Sequence, residues 1–322
     1  MNNMKDISFL KPTPLYDFYW KFAAERQCIF MKRLRNKFAP WTNDEILKKY
    51  KFTNVYRACD RVSQYLIKNI IYEKIYSEED IIFRILLFKI FNSIETWKIL
   101  EKHLGEISYK KFSIKVYSDI LQHEFSKKHK LYSGAYIMPS AKNVFGQDRK
   151  YANHLFLLEY MMKDKFCLKL SSCTTLKDVY KLLLSYPSLG SFLAFQYTID
   201  LNYSEVLNFS EMDYVVAGPG ALSGIKKCFY NYNEVNTENI IQFVSENQEK
   251  EFTRLGLKFD YLGNRKLQLI DCQNIFCEFD KYSRVKFPDV KGLYKRNKIK
   301  RKFTINEERI EYFFPPKWKI LL

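Results

Sequence analysis

The stretch from Tyr186 to Phe229, YPSLGSFLAFQYTIDLNYSEVLNFSEMDYVVAGPGALSGIKKCF, limits the fold of this chain more than any other. The run LKDVYKLLLSY before it and SFLAFQYTID within it both carry helical periodicity, and only Pro187 to Gly190 stand between them. Two helices must therefore turn back on each other at PSLG. Gly190 opens the second helix with an unobstructed backbone, where exposed amides can receive a phosphate, although an ordinary Pro/Gly turn explains the same residues. Beyond the turn come Asp200, Asp213 and a second glycine-rich helix start, GPGALSGIKK.

The rest of the chain reads as helix after helix. Pro14 suits the first turn of a helix through DFYWKFAAERQCIFMKRLRNKF, with Lys32, Arg33, Arg35 and Lys37 at the end where cations suit the dipole. Thr42 or Asn43 caps a short restart, and Val55, Cys59, Val62, Leu66 and Ile70 put one apolar face on a helix over 54–72. Ser77 caps the next, Gly105 closes the one after, and Thr174 or Thr175 caps the helix before PSLG. NTENIIQFVSENQEKEFTRLG and DCQNIFCEFDKYSRV are two more helices. Strand-like alternation is confined to KFDYLGNRKLQLIDC, a small hairpin around Gly263 and Asn264. The expected class is all-α with at most that hairpin. The expected division is an N-terminal helical part over 1–130, the part holding the helical hairpin over 131–260, and a C-terminal helix with a basic tail over 261–322.

Charge decides the class of partner. The 53 Lys and Arg against 36 Asp and Glu give a net charge of +17, and a surface of that sign favours polyanions because phosphate contacts release counterions. Between Lys281 and Lys302 ten cations face the single acid Asp289, a solvated arm or a phosphate-tracking one. The 24 Tyr and 27 Phe are plentiful, in part as AT-rich coding dictates. The seven cysteines are odd in number and scattered, which argues against a disulfide framework and for a reducing cytoplasm. The opening MNNMKDISFLKPTPLYDF lacks the pattern of a signal peptide, and no apolar run reaches membrane-spanning length. The four histidines share no ligand spacing, so no metal and no cofactor are expected. GPGALSGIKK misses a phosphate loop, with five residues between Gly218 and Gly224 and Ile225 before Lys226. Gly218 and Gly220 then read as a flexible approach to DNA, flanked by Lys226 and Lys227.

The turn YPSLG resembles the hairpin of helix-hairpin-helix base-excision glycosylases, LPGVG in its best-known form, with Ser188 at the first glycine and Ser191 following Gly190. That resemblance implies a catalytic acid about twenty residues on. Asp213 lies 23 residues beyond Gly190 and is preferred, with Asp200 as its competitor. Phe192 stands where bifunctional members carry a nucleophilic lysine, which implies a monofunctional enzyme using water.

The successive blocks FYWKFAAERQCIFMKRL, PWTNDEILKKYKFTNVYRACDRVSQYLIKNI, SLGSFLAFQYTIDLNYS, MDYVVAGPGALSGIKKCF and DCQNIFCEFDKYSR resemble the α-glutamyl/putrescinyl-thymine pyrophosphorylase family. That family shares its helical domain with phage 5-hydroxymethyluracil DNA kinases. The resemblance implies an all-α, glycosylase-like protein that excises a bulky hypermodified base from double-stranded phage DNA as a defence, with no membrane and no obligate protein partner. A non-catalytic module that binds modified DNA and a pyrophosphorylase or transferase are the alternatives. The implied pocket residues are Asn202, Tyr203, Gln196, Gln273, Asn274, Glu278, Glu25 and Trp41, with Tyr16 and Trp20 as further aromatic walls. Ser188, Gly190, Ser191, Lys281, Tyr282 and Arg284 would face phosphates. Glu278 with Lys281 equally reads as a helix-stabilising pair, and Glu25, Arg26, Asn54, Arg57 and Asp60 as a buried polar network.

Overall fold

The computed structural model describes residues 10–35, 38–306 and 310–320, so Lys37 and the opening nine residues lie outside the described residues. In chain order the helices are α1 (Pro14–Leu34), α2 (Glu45–Lys49), α3 (Arg61–Tyr65), α4 (Glu78–Phe91), α5 (Ile94–Leu104), α6 (Ile114–Ser126), α7 (Lys142–Phe145), α8 (Lys150–Lys163), α9 (Phe166–Ser171), α10 (Leu176–Leu184), α11 (Ser191–Leu201), α12 (Pro219–Cys228), α13 (Thr237–Glu246), α14 (Gln248–Arg254) and α15 (Leu269–Lys286). The all-α expectation holds. Among the described residues, β pairing is reduced to isolated bridges, and Leu262 with Arg265 closes the turn at Gly263. Two compact units result, one of Met1–Asp60, Tyr214–Glu311 and Ile320–Leu322, the other of Arg61–Asp213 and Tyr312–Lys319. Both are discontinuous in sequence, unlike the division at 130 and 260 drawn along the chain.

The first unit is built on α1, α12 and α15. Thr13 caps α1 through its hydroxyl, 3.1 Å from the Leu15 amide, with Pro14 at the first helical position. Tyr19 and Phe22 on its inner face meet Phe276 and Tyr282 of α15 at ring separations of 4.4 and 5.1 Å. Helices α12 and α15 come closer still, because Gly220 and Gly224 lie four residues apart on one face of α12. A Cβ on Gly220 would sit 2.3 Å from Cys277 Sγ, and one on Gly224 2.2 Å from the Phe276 carbonyl oxygen. Gly220, expected to approach DNA, thus serves helix packing together with Gly224. Gly224→Ala is expected to cost on the order of 1–3 kcal/mol, since a backbone carbonyl cannot swing away as a side chain can. Thermal unfolding would register this as a fall of several degrees in Tm.

Two helices expected to run unbroken are interrupted. The helix over 54–72 gives way to a 3-10 turn at Arg57–Cys59, helix α3 and a π-helical turn at Leu66–Ile71. Asn54 and Asp60 are the cause: the Asp60 carboxylate accepts from the Asn54 amide at 2.8 Å while the Asn54 side chain donates to the Cys59 carbonyl at 2.8 Å. Such local side-chain bonds compete with helical ones. The other interruption is at Asn247, between α13 and α14, where the Gln248 side chain turns to bond the Leu267 backbone.

In the second unit, α4 is buried nearly all round from Ile82 to Phe91, as expected of a central helix. Arg84 within it is 1% exposed and donates to the Ile70 and Ile107 carbonyls, both at 3.0 Å, so its charge terminates the π-helical turn. Thr175 and Asp178 form a capping box on α10. Helices α10 and α11 turn at PSLG as expected, and Ser188 takes φ 65°, the left-handed conformation that favours glycine. Among the described residues no helix is long and apolar enough to cross a membrane.

Candidate nucleic-acid interface

A cleft of about 660 Å³ opens in the first unit between α1, the segment 40–44, α2 and the end of α15. Phe18, Phe22, Trp41 and Tyr282 supply aromatic walls, Lys21, Lys32, Lys258 and Lys286 supply cations, and Glu25 and Asp44 supply carboxylates. The segment 40–44 is fixed by side chains on both flanks. Lys32 donates to the Trp41 carbonyl at 2.8 Å, the Thr42 hydroxyl donates to Glu25, and the Tyr282 hydroxyl donates to Asp44 at 2.6 Å. Asp44 also caps α2 through the Ile46 and Leu47 amides at 2.8 and 3.0 Å. The Arg33 guanidinium lies over the Trp41 ring, 4.9 Å from its centroid, and a plane of this kind stacks on a base. The volume, the aromatic walls and the lysines suit a nucleotide.

Beside the cleft runs a polar network. Arg26 donates to the Thr53 carbonyl from Nε at 3.1 Å and Nη2 at 2.9 Å, and the Thr53 amide donates to Glu278 at 3.0 Å. Glu278 also pairs with Lys281 at 2.6 Å, and Lys281 lies over the Phe52 ring at 4.6 Å. The Asn274 side chain donates to the Asn54 carbonyl at 2.8 Å. Burial pushes the Asp60 carboxyl up to about 7, against the Asn54 amide bond that lowers it, and nearby Glu278 adds to the rise. With its pKa above the unfolded value, Asp60 holds its proton longer when folded, so stability falls as pH rises from about 4 to 7. The slope from this group is at most about 1.4 kcal/mol per pH unit. Asp60→Asn is expected to flatten that part of the stability profile, as chemical denaturation at successive pH values would reveal.

The expected site residues fall into three groups. Glu25, Trp41 and Tyr282 meet at the cleft, and Asn274, Glu278 and Lys281 in the adjoining network. Others serve the interior. Lys227 is 2.9 Å from Asp280 with both side chains almost wholly buried, and Arg284 pairs with the same carboxylate. Their charges answer Asp280, so the phosphate contacts expected of Lys227 and Arg284 are replaced by a buried ion-pair network. Tyr16, Trp20 and Gln273 are likewise buried, and the first two are core side chains and not pocket walls. Lys226 is half-buried, and Gly218 caps α12 without a side-chain bond.

The remaining candidates lie in the second unit. Asp200 is buried and ion-paired with Lys89 at 2.7 Å. Lys89 lies 4.2 Å from the centroid of Tyr136, which stacks on Phe192. Asp213 is exposed at a turn, its amide donating to the Ser210 carbonyl at 3.1 Å. Asn202 closes the loop to Phe209 by bonds of 2.9 and 3.1 Å. Tyr203 is packed edge-on against Trp318, and Gln196 is buried. Ser191 accepts from Tyr180 at 3.1 Å, and Gly190 faces open space. Lys317 was missed in the sequence: its ammonium gathers the Asn202, Ser204 and Leu207 carbonyls within 2.7 Å, a long-range clamp without local signature.

The first unit of this helical fold thus carries a basic, aromatic-walled cleft. The model of the 5-hmdU DNA kinase helical domain matches residues 13–292, and the chain belongs to that family. It is 23% identical over 324 residues to a 5-hmdU DNA kinase of Bacillus phage SP10, covering 94% of this chain and 50% of that protein. The chain thus spans about half the length of the relative. No solved structure matches it.

These likenesses correct the functional expectation. The family and the relative are named for a kinase, which transfers a phosphoryl group, and base excision by a glycosidic hydrolase is overturned. The roles given to Asp213 and Asp200 in breaking a glycosidic bond lose their reaction with it. The link of the sequence blocks to the helical domain of 5-hydroxymethyluracil DNA kinases holds.

Proposed function

We propose that this chain handles the DNA side of a kinase-type reaction on 5-hydroxymethyl-2′-deoxyuridine, binding double-stranded DNA and presenting the modified pyrimidine for phosphorylation. The match of the kinase helical domain to residues 13–292 carries this reading. The 5-hydroxymethyl group projects into the major groove, and enclosing it in a pocket away from water takes extrusion of the nucleotide, for which the cleft offers walls and cations. Trp41 with Arg33 stacks the base, and Lys21, Lys32, Lys258 and Lys286 hold the flanking phosphates. Glu25, oriented by the Thr42 hydroxyl, accepts a hydrogen bond from the hydroxymethyl group. Thymine has no such hydroxyl, so a site built around that bond discriminates against it.

Competition binding tests the reading: duplexes differing only in one 5-hydroxymethyl-2′-deoxyuridine in place of thymidine compete for the protein. The modified duplex is expected to bind better by about tenfold, the worth of one hydrogen bond to a charged group. Equal binding would refute the presentation of the modified base.

A further inference from the structure

The cations between Lys291 and Lys302 do not form a loose arm. Lys291, Lys295, Arg296, Lys298, Lys300, Arg301 and Lys302 are all exposed, no acid occurs from Val290 to Asn306, and no described carboxylate pairs with any of the seven. A run of like charges normally stays solvated and disordered through its own repulsion. This one is pinned. The Leu293 amide donates to Ser223 Oγ at 2.9 Å, and Gly292 lies so close that a Cβ there would meet Ser223 Oγ at 2.1 Å. Ile299 is buried at 9% exposure. Main-chain bonds then fix the far end: the Lys51 amide donates to the Arg301 carbonyl at 3.1 Å and the Phe303 amide to the Lys49 carbonyl at 3.0 Å. Phe303 packs against Trp41 at 6.4 Å, so the segment ends on a wall of the cleft.

We propose that residues 291–302 form a phosphate-binding strap that tracks a DNA strand to the mouth of the Trp41 cleft. Holding seven like charges close together on a surface is unfavourable until a polyanion neutralises them. The backbone bends at Leu293 and Tyr294, where the Arg296 amide donates to the Tyr294 carbonyl at 2.6 Å, and then runs irregularly to its anchor at Lys49 and Lys51. Six cations in the eight residues 295–302 put a dense row of positive charge along the segment, which neutralises phosphates without needing any base. The strap supplies affinity and register, the cleft supplies selectivity. The direction of tracking rests on the function proposed above, whereas the phosphate contact itself does not.

The test is the salt dependence of binding, by fluorescence anisotropy, for the full chain and for Lys298→Gln/Lys300→Gln/Arg301→Gln. A charge-matched control, Lys115→Gln/Lys128→Gln/Lys130→Gln, alters exposed lysines of the second unit. The strap is held by main-chain bonds, so its substitution should leave Tm within a few degrees. The strap variant is expected to lose about 2–3 from the slope of log affinity against log salt and to bind at least about tenfold more weakly at about 0.1 M salt. Thymidine and modified duplexes should be weakened alike, and the control should keep its slope. An unchanged slope in the strap variant, an equal loss in the control, or no measurable DNA binding by the unaltered chain would each overturn the strap. A lost preference for the modified duplex with the slope effect intact would instead strike the function proposed above and leave the strap standing.

Discussion

Asp280→Ala is expected to cost about 3–5 kcal/mol of folding stability, the cost of removing one partner from a buried ion pair. Lys227, almost wholly enclosed between α12 and α15, would keep only its bond to Ser283 at 2.9 Å as a polar side-chain contact, and Arg284 would lose the same carboxylate. A fall in Tm of about ten degrees is the corresponding signature. Lys227→Met/Asp280→Leu/Arg284→Met should recover most of the loss, because apolar residues of similar volume remove all three charges of the network. If the single replacement leaves Tm within about two degrees, the network is solvated and not a buried one.

Trp41→Ala has the larger consequence for binding. Its ring lines the cleft, and stacking on one aromatic side chain is worth about 1–3 kcal/mol per base, a weakening of about 5- to 150-fold in Kd for DNA. Trp41→Phe should restore most of the affinity by keeping a stacking face. Folding stability should fall far less than affinity, since Trp41 is only partly covered. Titration of both variants with a labelled duplex, beside their thermal unfolding, separates these effects. Undiminished binding by Trp41→Ala would remove the cleft from the interface.

Local features of this fold were legible in the sequence where the determinant is local. Pro14, the Thr175 cap and Gly105 mark helix ends in the residues themselves, and the PSLG turn follows from four residues between two periodic runs. Even the exchange of glycine for serine at Ser188 has its counterpart, since that residue adopts the left-handed backbone a glycine would favour. Where partners lie far apart in sequence the reading failed. Lys227, Tyr282 and Arg284 looked like surface groups because Asp280 and Asp44 are chosen by tertiary packing. Gly220 looked like part of an approach to DNA because the sequence alone does not reveal α15 packed against it. Asn54 and Asp60 lie six residues apart and end the helix that the apolar spacing extended across them. The cleft was legible in part: Glu25, Trp41 and Tyr282 were named, but the lysines at its rim were not distinguished from the other cations of a basic chain.

Selectivity for the modified base tests the central claim most directly. Competition between a thymidine duplex and one carrying a single 5-hydroxymethyl-2′-deoxyuridine should favour the modified DNA by about tenfold for the unaltered chain. In Glu25→Gln the preference should shrink to within about threefold while binding of the thymidine duplex changes far less, since the amide oxygen of Gln can still accept from Thr42 and the charge-assisted bond to the added hydroxyl is lost. A preference that Glu25→Gln leaves whole, or no preference in the unaltered chain, would contradict the account.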